Sequence, residues 1–235
     1  MSHAAARDRF AIDATDAERA DFIAKTYVHL GWAVLAFAGL TAILVKTVGP
    51  QLTETFLGTR YAWLIVLGAF MLVGSVAQRW AQNATSIRMQ YAGLALYVVA
   101  EAVIFVPILF IAANFAGPEV IPTAGILTGA IFGGLTITVM VTKKDFSFLG
   151  RALQIASFGA LGLIVVSLIF GFSLGLLFTC AMIVLMAGWV LYQTSNVLHH
   201  YPIGSHVAAS LALFATVATL FWYVLRLVMA LSRSR

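Results

Sequence analysis

Seven long apolar stretches dominate this chain and limit what it can fold into. Each is nearly free of charged side chains and about as long as the 20 residues that a helix needs to cross a hydrocarbon core of ~30 Å. Barrel strands are excluded, because they are shorter and alternate polar with apolar residues. We therefore predict an all-α, polytopic membrane protein with seven transmembrane helices, at residues 28–48, 61–78, 91–113, 120–142, 152–172, 174–195 and 207–231.

Composition excludes the soluble classes of protein. Hydrophobic residues make up 62% of the 235 residues and charged residues 10%, against roughly 45–50% and 25% in soluble domains. One cysteine, Cys180, excludes a disulfide framework and a zinc site built on thiolates. The formal charge is +5, but the sequence has no run of five or more basic residues, so we expect a lipid bilayer as partner and no nucleic acid.

The chain divides into a polar N-terminal tail, residues 1–24, and a seven-helix transmembrane domain, residues 25–235. The tail has no apolar core segment, which distinguishes it from a cleavable signal peptide. If the tail is cytoplasmic, nine Lys and Arg residues fall on the inside and five on the outside. Basic residues favour the cytoplasmic side, so we expect a cytoplasmic N-terminus and a periplasmic C-terminus.

Glu101 is the one acidic residue deep inside a predicted span. It lies ten residues into the third span, about 15 Å along the helix and near the midplane. An acid at this depth is a functional hypothesis by default, and it makes Glu101 a candidate ion or proton site. The alternative is a protonated acid that hydrogen-bonds to a neighbouring helix.

Two further patterns stand out in the fourth and sixth spans. Gly125, Gly129 and Gly133 recur every four residues on one helix face, a spacing that lets two helices approach closely in lipid. We predict a helix-packing face there. Polar residues 193–196 crowd the end of the sixth span, where they either line a water-filled vestibule or cap the helix.

No pattern in the chain indicates catalysis. The predicted spans contain no Asp, and the sequence shows no Ser-His-Asp or Cys-His set, no HExxH and no phosphate-binding glycine loop. We predict that the protein is not an enzyme and has no catalytic residue, cofactor or metal site.

Two loops carry a resemblance to a known family. Residues 142–150, TKKDFSFLG, resemble the corresponding loop of the Bax inhibitor-1 family, and residues 191–199, LYQTSNVLH, look like that of its bacterial YccA branch. Weaker similarity at residues 25–30 and 220–227 extends the match over most of the chain. The family-motif residues in the two loops are Lys143, Lys144, Asp145, Asn196 and His199.

The resemblance implies a non-enzymatic bundle in which the last of seven helices is surrounded by the other six. Some members are similar to calcium leaks that are gated by a pair of Asp residues on the sixth and seventh spans. Those positions correspond here to Gln193 and Thr216, neither of which titrates near neutral pH. The resemblance therefore implies that the di-aspartyl gate is missing, and Glu101 is not part of that motif.

The YccA branch implies a different role. Its members are proteins of the bacterial inner membrane that bind the AAA protease FtsH, are extracted by their cytoplasmic tail and slow the degradation of other substrates. We therefore expect an FtsH modulator and substrate, with a calcium or proton leak as the alternative function.

Overall fold

The computed structural model describes residues 10–83 and 86–232, so the first nine residues of the predicted tail lie outside the described part. Within these ranges the chain is helical, and its seven long helices are all apolar and long enough to span a membrane. This confirms the predicted fold class. The helices are α1 Asp16–Leu57, α2 Arg60–Ala81, α3 Ile87–Ile111, α4 Val120–Thr142, α5 Leu149–Phe170, α6 Gly175–His199 and α7 His206–Ser232.

The first helix is much longer than the span that we predicted for it. Its 42 residues extend about 63 Å at 1.5 Å per residue, twice the thickness of a hydrocarbon core. The extension begins at a capping box: the Thr15 side chain accepts from the Glu18 backbone amide, and the Glu18 carboxylate accepts from the Thr15 amide at 3.0 Å. This cap satisfies backbone donors at the start of a helix, so α1 begins twelve residues before the predicted span.

The third and last helices form the centre of the bundle. α7 packs against α1, α2, α3, α4 and α6, five of the six helices that the resemblance placed around it, and α3 is buried to a similar extent. Phe105 of α3 stacks on Phe221 at a centroid distance of 5.8 Å and meets Phe37 edge-on at 5.0 Å. Aromatic pairs in this geometry contribute beyond their buried area, so they fix α1 and α7 against α3.

Short loops gather on the side of the bundle where α1 begins. We call this side the tail face, and it consists of residues 10–15, 143–148 and 200–205. Lys143 ends α4 in the left-handed conformation with φ of 52°, which favours glycine over residues with a side chain. The motif at 191–199 forms the last turns of α6 and is no loop; the tail face holds the other motif loop against it, through Asp145 and Phe146 to Ser195.

Candidate functional site

A polar cavity of about 310 Å³ lies between α2, α6 and α7. Gln193 of α6 and Thr216 of α7 both border it, so the two residues at the family's gate positions share one cavity. The Thr216 hydroxyl donates to the carbonyl of Ala212 at 2.9 Å. The polar residues on the wall of the cavity are Gln78, Gln82, Gln193, Tyr201, Thr216 and Thr219.

The wall of this cavity is neutral. Its described residues include amides and hydroxyls but no carboxylate and no basic side chain. Burial, reinforced by Tyr192, raises the pKa of Tyr201 to about 12, so the Tyr201 hydroxyl keeps its proton at physiological pH. The cavity has room for several waters, each of which takes about 30 Å³ in the liquid. It can therefore hydrate or hydrogen-bond a solute, but it holds no fixed charge for a cation.

Glu101 lies away from this cavity. It is only 4% exposed, and it borders none of the three cavities described in this chain. Tyr97 lies one turn earlier on α3, and its ring lies 6.0 Å from that of Phe70 and 6.2 Å from that of Phe214. No ion pair to Glu101 exists among residues 10–83 and 86–232. The third candidate site residue, Glu101, is thus buried in the bundle and lies outside the cavity that Gln193 and Thr216 share.

The two family-motif segments are joined by Asp145. Its carboxylate accepts from the Ser195 hydroxyl at 3.1 Å and contacts His200 Nε2 at 3.1 Å. The Ser195 hydroxyl in turn accepts from the Phe146 backbone amide at 2.8 Å. We call this set of contacts the loop latch, and it ties the end of α4 to the end of α6.

The other motif residues take different positions around the latch. Asn196 accepts from the backbone amides of His200 and Tyr201 through its carbonyl, at 2.8 and 3.0 Å, and so closes α6. His199 Nδ1 contacts the Ser195 carbonyl at 3.0 Å. Lys143 and Lys144 are exposed, which leaves them accessible to a partner or to lipid head groups.

Hydrogen bonds set the charge of the latch. Partial desolvation works against the ionised form of Asp145, but hydrogen bonds from Ser147, His200 and Ser195 outweigh it and hold the pKa of this carboxyl well below its usual range. Asp145 is therefore ionised at every physiological pH. Hydrogen bonds to an ionised acceptor are stronger than those to a neutral one, so the charge of Asp145 stabilises the latch at neutral pH.

Part of the tail is anchored beside the polar cavity. The Ala11 amide donates to the Tyr201 carbonyl at 2.9 Å, and Phe10 pairs with Pro202. Arg19 holds the same turn from the other side, donating to the Ala11 carbonyl at 2.7 Å and to that of Ile12 at 2.9 Å. Tyr201 also lines the cavity, so the residue that holds the tail segment is part of the cavity wall.

The glycine face of α4 does not join two helices within this chain. A Cβ atom built on Gly125, Gly129 or Gly133 meets no other heavy atom within 4 Å. Gly125 and Gly129 instead border an apolar groove between α1 and α4. This corrects the expectation of close packing, because the helix that would lie against the glycines is set apart from them.

Sequence reasoning missed several polar residues that the structure brings together. Gln78 and Gln82 of the second helical segment were not singled out, yet they line the same cavity as Gln193. His29 of α1 contacts the Tyr91 hydroxyl at 2.8 Å, and its ring lies 4.9 Å from that of His206. The clustering of polar residues at the tail-side ends of the spans was the available signal, but spacing along one helix does not show which helix lies opposite.

These features define a class of protein: a multi-pass helical membrane protein with a central last helix and a polar cavity at its side. The family described as inhibitor of apoptosis-promoting Bax1 matches residues 19–234, nearly the whole chain. The chain therefore belongs to the Bax inhibitor-1 family.

Relatives occur in bacteria, plants and viruses. An uncharacterised protein of Pseudomonas aeruginosa is 32% identical over 112 residues, which cover 47% of this chain and 50% of that protein; the match thus spans half of this relative. Protein LIFEGUARD 3 of Arabidopsis thaliana is 24% identical over 223 residues, 90% of the chain and 85% of the relative. The Golgi anti-apoptotic protein of vaccinia virus is 29% identical over 119 residues, 48% of each. No solved structure matches the chain.

Proposed function

We propose that this chain is a non-enzymatic protein of the bacterial cytoplasmic membrane that belongs to the YccA branch and modulates the AAA protease FtsH while being its substrate. Bacterial relatives support the location. The excess of nine Lys and Arg residues over five supports a cytoplasmic tail and a periplasmic C-terminus. The tail face, with its motif loop, is then the surface that meets the protease.

One observation carries this proposal: the weak attachment of the tail segment. Residues 10–14 hydrogen-bond to the rest of the tail face only through Ala11, to Tyr201, and pair with it in one isolated bridge, Phe10 to Pro202; Ala11 and Ala14 are the small side chains that the segment buries. Arg19 adds hydrogen bonds to the carbonyls of Ala11, Ile12 and Ala14, of which the bond to Ile12 is solvent-exposed and the other two are part-buried. Hydrogen bonds of this kind contribute about 1 kcal/mol each, so a protease that pulls on the tail can release it without first opening the bundle.

The test uses two variants with opposite expected effects on turnover by FtsH in reconstituted membranes. Deletion of residues 2–14 removes the tail segment but keeps the Thr15 cap, and it should slow degradation at least fivefold. Arg19→Gln keeps the tail length but loosens the anchor, so degradation should speed up. Membrane insertion should be unchanged in both variants. Unchanged turnover of the deletion variant would remove the main support for the proposal.

A second function, an ion leak, is favoured by the shared cavity of Gln193 and Thr216. The lack of charged residues in its wall and the enclosed position of Glu101 speak against a pH-gated leak. We expect no calcium flux through the protein in liposomes between pH 6 and 8. A robust calcium flux in the wild type that disappears in Glu101→Gln would favour the leak over the protease proposal. Flux at the background level in both the wild type and Glu101→Gln is the result that the protease proposal expects.

A further inference from the structure

Three polar side chains from α1, α3 and α7 meet on the tail side of the bundle. His29 Nε2 lies 2.8 Å from the Tyr91 hydroxyl, and the His29 and His206 rings have centroids 4.9 Å apart and planes tilted by 58°. Both histidines are half-buried and Tyr91 is exposed, so small ions can reach them. The two histidines lie near opposite ends of the chain, which is why the sequence alone predicted no metal site.

The hydrogen bonds of His29 fix its tautomer. Its Nδ1 lies 2.6 Å from the carbonyl oxygen of Lys25. A carbonyl only accepts hydrogen bonds, so Nδ1 of the neutral ring carries the proton and Nε2 presents its lone pair. Histidines that bind metals show this arrangement, because the bond from the other ring nitrogen to a carbonyl sets the orientation of the ring. His29 is therefore oriented as a metal ligand would be.

The spacing of the two rings suits a single ion. Two imidazoles that bind one zinc tetrahedrally, with Zn–N distances of about 2.0–2.1 Å, have ring centroids about 5 Å apart. The observed distance between the His29 and His206 centroids is 4.9 Å. The Tyr91 oxygen lies 2.8 Å from His29 Nε2, and ligand atoms of a tetrahedral zinc lie about 3.3 Å apart. An ion would therefore replace this hydrogen bond after a shift of about 0.5 Å.

The donors select the kind of metal. No three His, Cys, Asp or Glu side chains converge within residues 10–83 and 86–232, so the set consists of two imidazoles and one phenol oxygen. Imidazole favours zinc, copper and nickel, whereas calcium and magnesium prefer oxygen ligands. Lys25, the basic residue one turn before His29, is paired with Asp21 at 2.6 Å, and Arg88, one turn before Tyr91, is exposed. Both positive charges are thus compensated or screened by water.

We propose that His29, Tyr91 and His206 bind one Zn²⁺ ion, with water as the fourth ligand. Each imidazole has two nitrogens, so one nitrogen of His206 can coordinate while the other keeps a hydrogen-bonding partner. Zinc bound in this way joins α1 to the two central helices, α3 and α7. Since the three ligands come from three helices, the ion stabilises the folded bundle and has no such site in the unfolded chain.

The experiment titrates the full-length protein, without a histidine tag, with ZnCl₂ in detergent micelles by isothermal calorimetry. One ion should bind per chain. His29→Ala and His206→Ala should each weaken zinc affinity at least tenfold, since each removes a ligand. Tyr91→Phe keeps the ring and should weaken it at least threefold. The matched control is His200→Ala, which removes another histidine of the tail face and should change the affinity less than twofold.

A second measurement on the wild-type protein keeps the test informative if the alanine variants do not fold. Diethylpyrocarbonate modifies accessible histidines, and mass spectrometry identifies which ones. Zn²⁺ should protect His29 and His206 from modification, because coordination occupies the nitrogen that reacts. His200 should remain reactive, and Ca²⁺ at the same concentration should protect none of the three.

Four results would overturn the proposal. Absence of zinc binding to the wild type would exclude the site, and wild-type affinity in folded His29→Ala would place the ion elsewhere. Protection of His199 and His200 instead of His29 and His206 would assign zinc to the end of α6. A stoichiometry of one ion per two chains would mean that zinc bridges two copies.

Discussion

Glycine plays opposite roles in two helix pairs of this molecule. Between α2 and α3, Gly93 lets the backbones meet: a Cβ atom there would overlap the Ala77 carbonyl and the Ala81 amide. Between α1 and α4, Gly125 and Gly129 face an open groove and meet nothing. The regular spacing of the α4 glycines predicted close packing, whereas the sequence around the isolated Gly93 gave no indication of it. Small residues thus permit a close approach, but the opposite helix decides whether it happens.

The largest effect is expected at the close contact. Gly93→Ala should destabilise the bundle by about 2 kcal/mol, because forced overlap with a backbone costs 1–3 kcal/mol or more and the gain in helix propensity returns at most about 1 kcal/mol. Thermal unfolding in detergent should then begin several degrees lower. A melting temperature equal to that of the wild type would show that α2 and α3 can separate freely.

A smaller loss is expected where glycine meets a side chain instead of a backbone. A Cβ atom on Gly150 would lie 2.7 Å from the Tyr192 ring, which is itself held edge-on by Trp189 at 5.3 Å. Gly150→Ala should cost about 1 kcal/mol, since the ring has to shift. The double variant with Tyr192→Leu should recover most of the loss in detergent melting. Failure to recover would place the strain elsewhere.

The loop latch provides a contact for α4 that does not depend on its glycines. Asp145→Asn should lower stability at pH 7 by about 1 kcal/mol or less, because the carboxylate is half-exposed. The pKa of Asp145 is lowered by folding, so its contribution exists above the ordinary Asp pKa of about 3.9 and is lost as pH falls below it. Melting curves of variant and wild type should differ at pH 7, and the difference should begin to narrow only below about pH 4. Identical curves at pH 7 would exclude the latch as an anchor.

The smallest effect on stability is expected in the groove. Gly129→Leu should leave the melting temperature within about 2 °C of the wild type or raise it slightly, because the new side chain meets open space and leucine is a better helix former than glycine. A loss comparable to that of Gly93→Ala would show that α1 and α4 close on each other in the membrane, and would remove the distinction between the two helix pairs.

Much of the architecture was predictable because a bilayer restricts it so strongly. Backbone groups in hydrocarbon must be satisfied internally, so seven apolar stretches of this length lead to seven helices. The long start of α1 was missed, although Thr15 and Glu18 form a recognisable capping box. The apolar pattern locates the part of a helix that lies within lipid, but it does not predict how far the helix continues outside the lipid.

The candidate site was predictable only in pieces. Gln193 and Thr216 were identified by resemblance, and the structure adds that they share a cavity with Gln78 and Gln82. Glu101 was identified by its depth, and the structure encloses it beside Tyr97. Resemblance and depth are properties of single positions, whereas a cavity is a property of several helices at once.

The sequence by itself determined that the protein spans a bilayer, how many spans it has and which segments carry the family motifs. These properties depend on local composition and on short stretches of chain. Tertiary structure alone decided that Asp145 joins two distant segments, that Gly93 and not Gly129 marks a close contact, and that Gln193 and Thr216 share a cavity with Gln78 and Gln82. Each of these rests on the rotation and crossing of helices that are far apart in the chain. Ridges and grooves of whole helix surfaces set that geometry, and no single segment contains it.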